Sequence, residues 1–291
     1  MSTVRRAAVI GHPVAHSRSP ALFARFAAAT GIALQYDAVD VLPEALEATL
    51  ARWRATPEFV GCNVTLPHKE RALALADRVE PAARACGAAN VLTREDGGLV
   101  ADNTDVAGVE AALAQHDVEL RGARVVILGA GGAARAVAEA ARRSGAAHVT
   151  VAARDRSRAE SVAADFGAVA GGLDEVPVAD VYVNATPVGM QGQAQRSLLP
   201  HDAPRGAAAF DLVYVPEETP FLIDARARGL RTVPGTAMFL AQAVATFERW
   251  FGVTPLLRAA MDRSPLILRQ AQDDALAQDD ASARDDIGAS A

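Results

Sequence analysis

The sequence predicts an α/β fold in two units with a cleft between them. Short apolar strands alternate with helices along most of the chain, the pattern of sheets covered by helices. Midway, an apolar strand runs straight into a glycine-rich turn and a helix, which marks the second unit as a doubly wound, parallel sheet. Polar residues collect at strand ends in the first unit, where a plain core has no use for them.

Ala7-Ala8-Val9-Ile10 opens the first unit as a strand. Ser19 and Pro20 suit an N-cap and a first helical position, and Gly31 ends that helix. Leu34 to Val41 reads as a second strand, Pro43 to Arg54 as a helix and Phe59 to Val64 as a third strand. A helix is expected over Lys69 to Asp77. Val91-Leu92-Thr93 and Leu99-Val100-Ala101 flank Asp96-Gly97-Gly98, a hairpin signal. A helix from Thr104 to Gln115 leads out of the unit. In the second unit Arg124 to Leu128 is a buried strand, Ala133 to Ser144 a helix stopped by Gly145, and His148 to Ala152 the next strand. Further strands are expected at Val181 to Asn184 and Ala208 to Val213. Gly235 to Phe251 makes a long helix with two apolar sides, suited to packing between the units. Gln270 to Ala291 carries almost no large apolar residue, too little to offset ordering entropy, so disorder is expected there.

The 291 residues are 51% hydrophobic and 22% charged, ordinary globular material. A net charge of -6 excludes a general nucleic-acid binder, which needs a basic face. No apolar run is long enough to span a bilayer, and the N-terminus lacks the pattern of a signal peptide. Two cysteines, Cys62 and Cys86, read as reduced thiols. A cytoplasmic protein, monomeric or homodimeric, acting on a small molecule is expected, with no membrane, nucleic-acid or metal partner. Of 29 basic residues only one is a lysine, Lys69. Arginine keeps its proton in a protein, whereas lysine can release one.

Gly129-x-Gly131-x-x-Ala134 fits the Rossmann-like dinucleotide fingerprint. Gly129 permits the turn, Gly131 lets backbone approach a pyrophosphate, and Ala134 lets the helix sit close to the strand. The free N–H groups of the helix start suit the anion. The end of the next strand reads Ala153-Arg154-Asp155-Arg156-Ser157-Arg158. Arg154 and Arg158 suit the extra phosphate of NADP, and Arg156 adds to the field. Asp155 opposes it by repulsion, although Asp155, or Ser157 in a capping box with Glu160, is also a natural helix cap. NADP is the favoured cofactor and NAD the alternative.

In the first unit Ser17 and Ser19 stand at a strand-to-helix junction, where hydroxyls and helix N–H groups bind a carboxylate. Asn63, Thr65 and Lys69 lie past the end of a strand, where ligands sit in open α/β sheets. Asp105 stands at the exit from the unit. A lysine facing a carboxylate across a cleft is a proton-transfer couple.

The runs Gly11 to Pro20, Gly61 to Lys69, Gly87-Ala88-Ala89-Asn90, Asn103-Thr104-Asp105 and Gly129 to Ala133 resemble, in order, the signatures of the shikimate dehydrogenase family. So do Asn184 to Met190, Asp211 to Tyr214 with Thr219-Pro220, and Met238 to Gln242. The likeness spans residues 5 to 262. It implies reversible NADPH-dependent reduction of 3-dehydroshikimate to shikimate, a step toward chorismate and the aromatic amino acids. It implies Lys69 and Asp105 as the catalytic couple, and Ser17 and Ser19 on the substrate carboxylate. Asn63, Thr65, Asn90, Asp105, Tyr214 and Gln242 are implied at the ring. The implied cofactor set is Gly129, Ala130, Gly131, Gly132, Ala133, Arg154, Asp155, Arg158, Thr186, Leu212 and Gly235. The implied domains are 1–104 for substrate, 105–235 for dinucleotide, 236–262 as a helical return to the first, and 263–291 as a tail. Two departures stand out. Phe23-Ala24 replaces the family's frequent His-Asn, and Ala153-Arg154-Asp155 replaces its common Asn-Arg-Thr. The second departure leaves open an NAD-preferring quinate/shikimate dehydrogenase, and since fold alone does not give function, a non-catalytic dinucleotide-binding sensor on the same fold stays open too.

Overall fold

The computed structural model describes residues 4–255, so the expected disorder after Gln270 lies outside the described residues. The first sheet holds β1 (Arg5–Gly11), β2 (Leu34–Asp40), β3 (Phe59–Val64), β4 (Arg78–Val79), β5 (Val91–Glu95) and β6 (Gly98–Asp102). Their order is β2-β1-β3-β5-β6-β4. β1 runs parallel to β2 and β3, while β5 is antiparallel to both β3 and β6. The hairpin forms where the sequence signals it, with Asp96 at φ 50° and Gly97 at φ 79°. Positive φ at both central residues is the demand of a type I′ turn.

Helices α1 (Ser19–Thr30), α2 (Leu46–Arg54), α3 (Lys69–Ala74) and α4 (Pro81–Cys86) accompany this sheet. Four sequence expectations are corrected. Ser19 is the first helical residue rather than the cap; its N–H is taken by Ser17 Oγ at 3.3 Å. Pro43–Ala45 is a 3-10 turn that delays α2 to Leu46. α3 stops at Ala74, because the chain turns to add β4 to the sheet edge beside β6. The strand expected over Ala208 to Val213 ends at Asp211, two residues early, where the Asp211 side chain captures the N–H of Val213.

The second sheet follows α5 (Asp105–Gln115) and contains β7 (Arg124–Leu128), β8 (His148–Ala152), β9 (Val169–Gly171), β10 (Val181–Asn184), β11 (Ala208–Asp211) and β12 (Arg231–Val233). All its pairs are parallel, in the order β12-β11-β10-β7-β8-β9. The chain runs outward from β7 in one direction, then returns to run outward from β10 in the other. The junction of β7 and β10 is the switch point at which doubly wound sheets bind ligands. Helices α6 (Gly132–Ser144), α7 (Arg156–Phe166) and α8 (Pro220–Ala227) connect the strands. α6 begins one residue earlier than expected, at Gly132, and Ala134 is fully buried against the strands.

α9 (Gly235–Phe251) returns from the second sheet to the first, as its two apolar sides suggest. Toward its middle it crosses α5 so closely that a Cβ on Gly108 would lie 3.1 Å from Gln242 Cβ. At its end Phe247 and Trp250 join Phe23, Phe26 and Tyr36 in one aromatic cluster. Phe23 is fully buried and stacks on Tyr36 with centroids 4.2 Å apart, so this departure from the family pattern is a packing residue.

Candidate active site

Strand ends of both sheets face one cavity of about 220 Å³. Ser17, Ser19, Asn63, Thr65, Lys69, Asn90, Asp105, Tyr214 and Gln242 line it, which is the whole expected substrate and catalytic set. Ala133, Leu212 and Gly235 of the expected cofactor set join them, with Val14, Met238 and Phe239 supplying apolar wall.

Lys69 opens α3 directly after a turn pinned by His68, whose buried ring meets Val41 O at 2.6 Å. Asp105 opens α5, where the helix dipole favours a carboxylate. Its backbone N–H is held by Asn103 Oδ1 at 3.0 Å, and Asn103 in turn donates to Ala88 O at 2.8 Å. Lys69 Nζ donates to Asp105 Oδ2 at 2.5 Å. Asn90 Nδ2 donates to Asp105 Oδ1 at 2.8 Å. The side chains of Lys69 and Asp105 are 16% and 6% exposed, so the pair is largely dry. An ammonium has three hydrogens. One is on Asp105, which leaves two for a ligand. The lysine stem lies along Gly132, where an added Cβ would come within 2.9 Å of Lys69 Cδ.

Tyr214 reaches the cavity from the loop after β11 and stacks on Phe239 with centroids 4.4 Å apart. Burial pushes its phenol above the usual range, against the pull of hydrogen bonds from the Arg18 backbone and Ser17. Asp211 and Asn184, at the ends of β11 and β10, hold this loop together with the one after β10. Asp211 accepts from Asn184 Nδ2 at 2.9 Å, Val213 N–H at 3.0 Å and Thr219 Oγ1 at 2.6 Å. Asn184 Oδ1 accepts from the N–H and the hydroxyl of Thr186, at 3.1 and 2.7 Å.

Burial raises the Asp211 carboxyl to about 6 from 3.8, despite those hydrogen bonds. Between the two values the folded chain keeps a proton that the unfolded chain has released. The stability tied to the neutral carboxyl is therefore complete below the unfolded value and lost as pH rises through the folded one. Asp211→Asn has no such proton to lose. It is expected to gain about 2 kcal/mol relative to the parent between about pH 4 and about pH 7. Denaturant unfolding at each pH reads this, and a constant difference would remove the assignment.

The turn after β7 has the shape a dinucleotide needs. Gly129 sits at φ 116°, and a Cβ there would lie 2.9 Å from Ala185 O. A Cβ on Gly131 would meet nothing within 4 Å, so the ground above it is open. Gly131 is also the N-cap of α6 without a side-chain cap, leaving the first-turn N–H groups for an anion. Thr186 packs on Gly129, its hydroxyl donating to Asn184 Oδ1 and accepting from Val188 N–H at 3.1 Å.

Arg154, Asp155 and Arg158 lie past the end of β8, exposed and outside the cavity lining. The Asp155 carboxylate caps α7, accepting from Ser157 N–H at 3.1 Å and Arg158 N–H at 3.3 Å. The Ser157 hydroxyl, with the Arg158 and Ser157 N–H groups, lowers its carboxyl below the ordinary range. The Ser157–Glu160 box does not form, since Asp155 already takes the end of the helix and Glu160 pairs with Arg156 at 3.5 Å. Among the described residues neither Arg154 nor Arg158 has a carboxylate at ion-pair distance.

Asn184, Asp211 and Asn103 were not singled out as site residues, although a polar side chain ending an apolar strand is a readable sign. Tyr36, whose hydroxyl donates to Asn63 Oδ1 at 2.8 Å, and Thr246, whose hydroxyl accepts from Asn63 Nδ2 at 3.2 Å, carry no sign in the sequence, because each sits in an apolar pattern that reads as core.

The chain is similar to known proteins along nearly its whole length. The family described as shikimate dehydrogenase substrate binding domain matches residues 9–92. The family described as shikimate / quinate 5-dehydrogenase matches residues 112–188. A Brucella melitensis biotype 2 protein named shikimate dehydrogenase (NADP(+)) is 44% identical over 286 residues, covering 95% of this chain and 98% of that protein. Its counterpart of the same name from Methylobacterium radiotolerans is 45% identical over 271 residues, covering 87% of this chain and 95% of its own. The crystal structure of the Thermus thermophilus shikimate 5-dehydrogenase in complex with NADP(H) and shikimate superposes with TM-score 0.82 at 40% identity, covering 92% of this chain and 100% of that one. That of the Listeria monocytogenes shikimate 5-dehydrogenase in complex with shikimate and NAD gives TM-score 0.78 at 28% identity, covering 88% and 94%. Matches in both lobes, identity sustained along nearly the whole chain and a shared fold lead to one conclusion: this chain belongs to the shikimate dehydrogenase family.

Proposed function

We propose that this chain catalyses the reversible NADPH-dependent reduction of 3-dehydroshikimate to shikimate. The observation that carries the reading is the Lys69–Asp105 pair, held at 2.5 Å in the wall of a cavity whose other polar side chains suit a hydroxylated ring acid. Residues 1–104 serve as the substrate lobe and 105–235 as the dinucleotide lobe, with the helical segment from 236 returning to the first. The enzyme is cytoplasmic, monomeric or homodimeric; among the described residues no helix is long and apolar enough to cross a membrane.

Bound NADPH supplies the hydride to the C3 carbonyl. The carbonyl oxygen then becomes an alkoxide, and Lys69 stabilises it and gives it a proton. Asp105 orients the ammonium and balances its charge. Ser17 and Ser19 hold the ring carboxylate at the start of α1. Thr65, Asn90, Tyr214 and Gln242 hold the ring hydroxyls. Asn63 offers the second lone pair of its oxygen, since its amide hydrogens are spent on Thr246 and Asn90 O. The turn Gly129 to Ala133 takes the pyrophosphate, beside Thr186, Leu212 and Gly235.

Arg154 and Arg158 bind the 2′-phosphate, because Asp155 is committed to its helix cap. Replacing both arginines with alanine is expected to raise the KM for NADP by about tenfold or more, with little change for NAD. Equal changes for the two cofactors would exclude a phosphate site there.

An assay of shikimate and quinate, each with NADP and NAD, tests the function. Shikimate with NADP is expected to give the highest kcat/KM. A preference for quinate and NAD would favour the catabolic type instead, and no turnover of either acid would leave a sensor.

A further inference from the structure

One buried hydroxyl belongs to none of the roles above. Thr246 lies on α9 one turn beyond Gln242 and is fully buried. Its Oγ1 meets Gln242 O at 2.9 Å, Asn63 Nδ2 at 3.2 Å and Thr104 Oγ1 at 3.1 Å. A hydroxyl has one hydrogen and two lone pairs. The hydrogen goes to the Gln242 carbonyl, so the lone pairs accept from Asn63 and from Thr104.

That assignment fixes a chain of others. Thr104, having given its hydrogen to Thr246, accepts from Asn90 Nδ2 at 3.0 Å. The second hydrogen of Asn90 Nδ2 goes to Asp105 Oδ1 at 2.8 Å, and Asp105 Oδ2 takes Lys69 Nζ at 2.5 Å. On the other side the Asn63 amide nitrogen is held by Thr246, so its oxygen faces Tyr36 OH at 2.8 Å and the cavity. Turned over, Asn63 would aim its oxygen at a hydroxyl with no hydrogen left to give.

We propose that Thr246 is a positioning residue of the active site. It decides which end of the Asn63 amide faces the ligand, and it holds Thr104 so that Asn90 can support Asp105. Without it the Thr104 hydroxyl loses its acceptor on α9 and is left with Asn90 Oδ1 at 3.4 Å, an oxygen that Thr104 N–H already occupies at 2.7 Å. The inference rests on reading the cavity as the shikimate site.

Thr246→Val keeps the shape and removes the hydroxyl, while Thr246→Ser keeps the hydroxyl. With the full chain, Val is expected to raise the KM for shikimate about tenfold, to lower kcat less, and to leave the KM for NADP within about twofold. Ser is expected to stay within about twofold of the parent on every constant. Thermal unfolding is followed alongside; should Val fail to fold, Thr246→Ala, which adds no atoms, carries the same expectation. A hydroxyl-free variant that is less stable but has the parent's KM for shikimate is a purely structural result and overturns the proposal. So does a Ser variant as impaired as Val. A parent that does not turn over shikimate overturns the functional reading itself, whereas an active parent with indifferent variants overturns only this inference.

Discussion

Lys69→Arg lowers kcat at least about a hundredfold, while the affinity for the ring acid changes only a few-fold. The replacement keeps the positive charge next to Asp105 and so avoids leaving a buried carboxylate unpaired, a loss that alone costs about 3–5 kcal/mol. What it removes is the transferable proton, because a guanidinium does not give one up. It also changes the shape of the cation: the stem carbons that pass Gly132 are common to both side chains, but a planar fork replaces a compact ammonium at Asp105. Steady-state kinetics in both directions, with shikimate binding measured by calorimetry, separate the two effects. A Lys69→Arg enzyme that turns over like its parent while binding normally would show that the proton comes from elsewhere.

Gly235→Ala is expected to destabilise the chain by about 3 kcal/mol or more, roughly a 10 °C fall in Tm, and to weaken shikimate binding in whatever folds. The new Cβ would lie 2.4 Å from Val213 O, 2.7 Å from Val213 C and 2.9 Å from Asp211 O. All three are backbone atoms, so no side-chain rotation relieves the overlap. Relief requires α9 to move off the end of β11, and α9 carries Met238, Phe239 and Gln242 of the cavity wall. Calorimetric unfolding with and without shikimate reads both effects; an unchanged Tm would mean that the helix start yields freely.

The parallel lobe was legible because local and global signals agree there. Arg124–Leu128, the glycine turn and the amphipathic helix after it each point the same way, and the observed bounds differ by at most one residue. The first lobe was harder. β4 is two residues long and owes its existence to pairing with β6, which no local pattern encodes. Even in the parallel lobe the edge strands β9 and β12, three residues each, are defined by their neighbours in the same way. In the candidate site, chemistry-bearing residues at strand ends could be read, since such side chains are misplaced in a core. The supporting groups were hidden for the opposite reason. Tyr36 is packed among aromatics and Thr246 sits on an apolar helix face, so their hydroxyls become visible only once distant segments are brought together.

The contact between the lysine stem and Gly132 limits how freely this enzyme's halves can be exchanged. The stem that carries the acid group lies against the anion-binding turn of the other lobe, where a Cβ in place of the glycine hydrogen would come within 2.9 Å of Lys69 Cδ. A chimera that grafts a foreign nucleotide lobe onto this substrate lobe must keep a residue without a side chain at that position. Otherwise the graft redirects the proton donor even when the cofactor sits correctly.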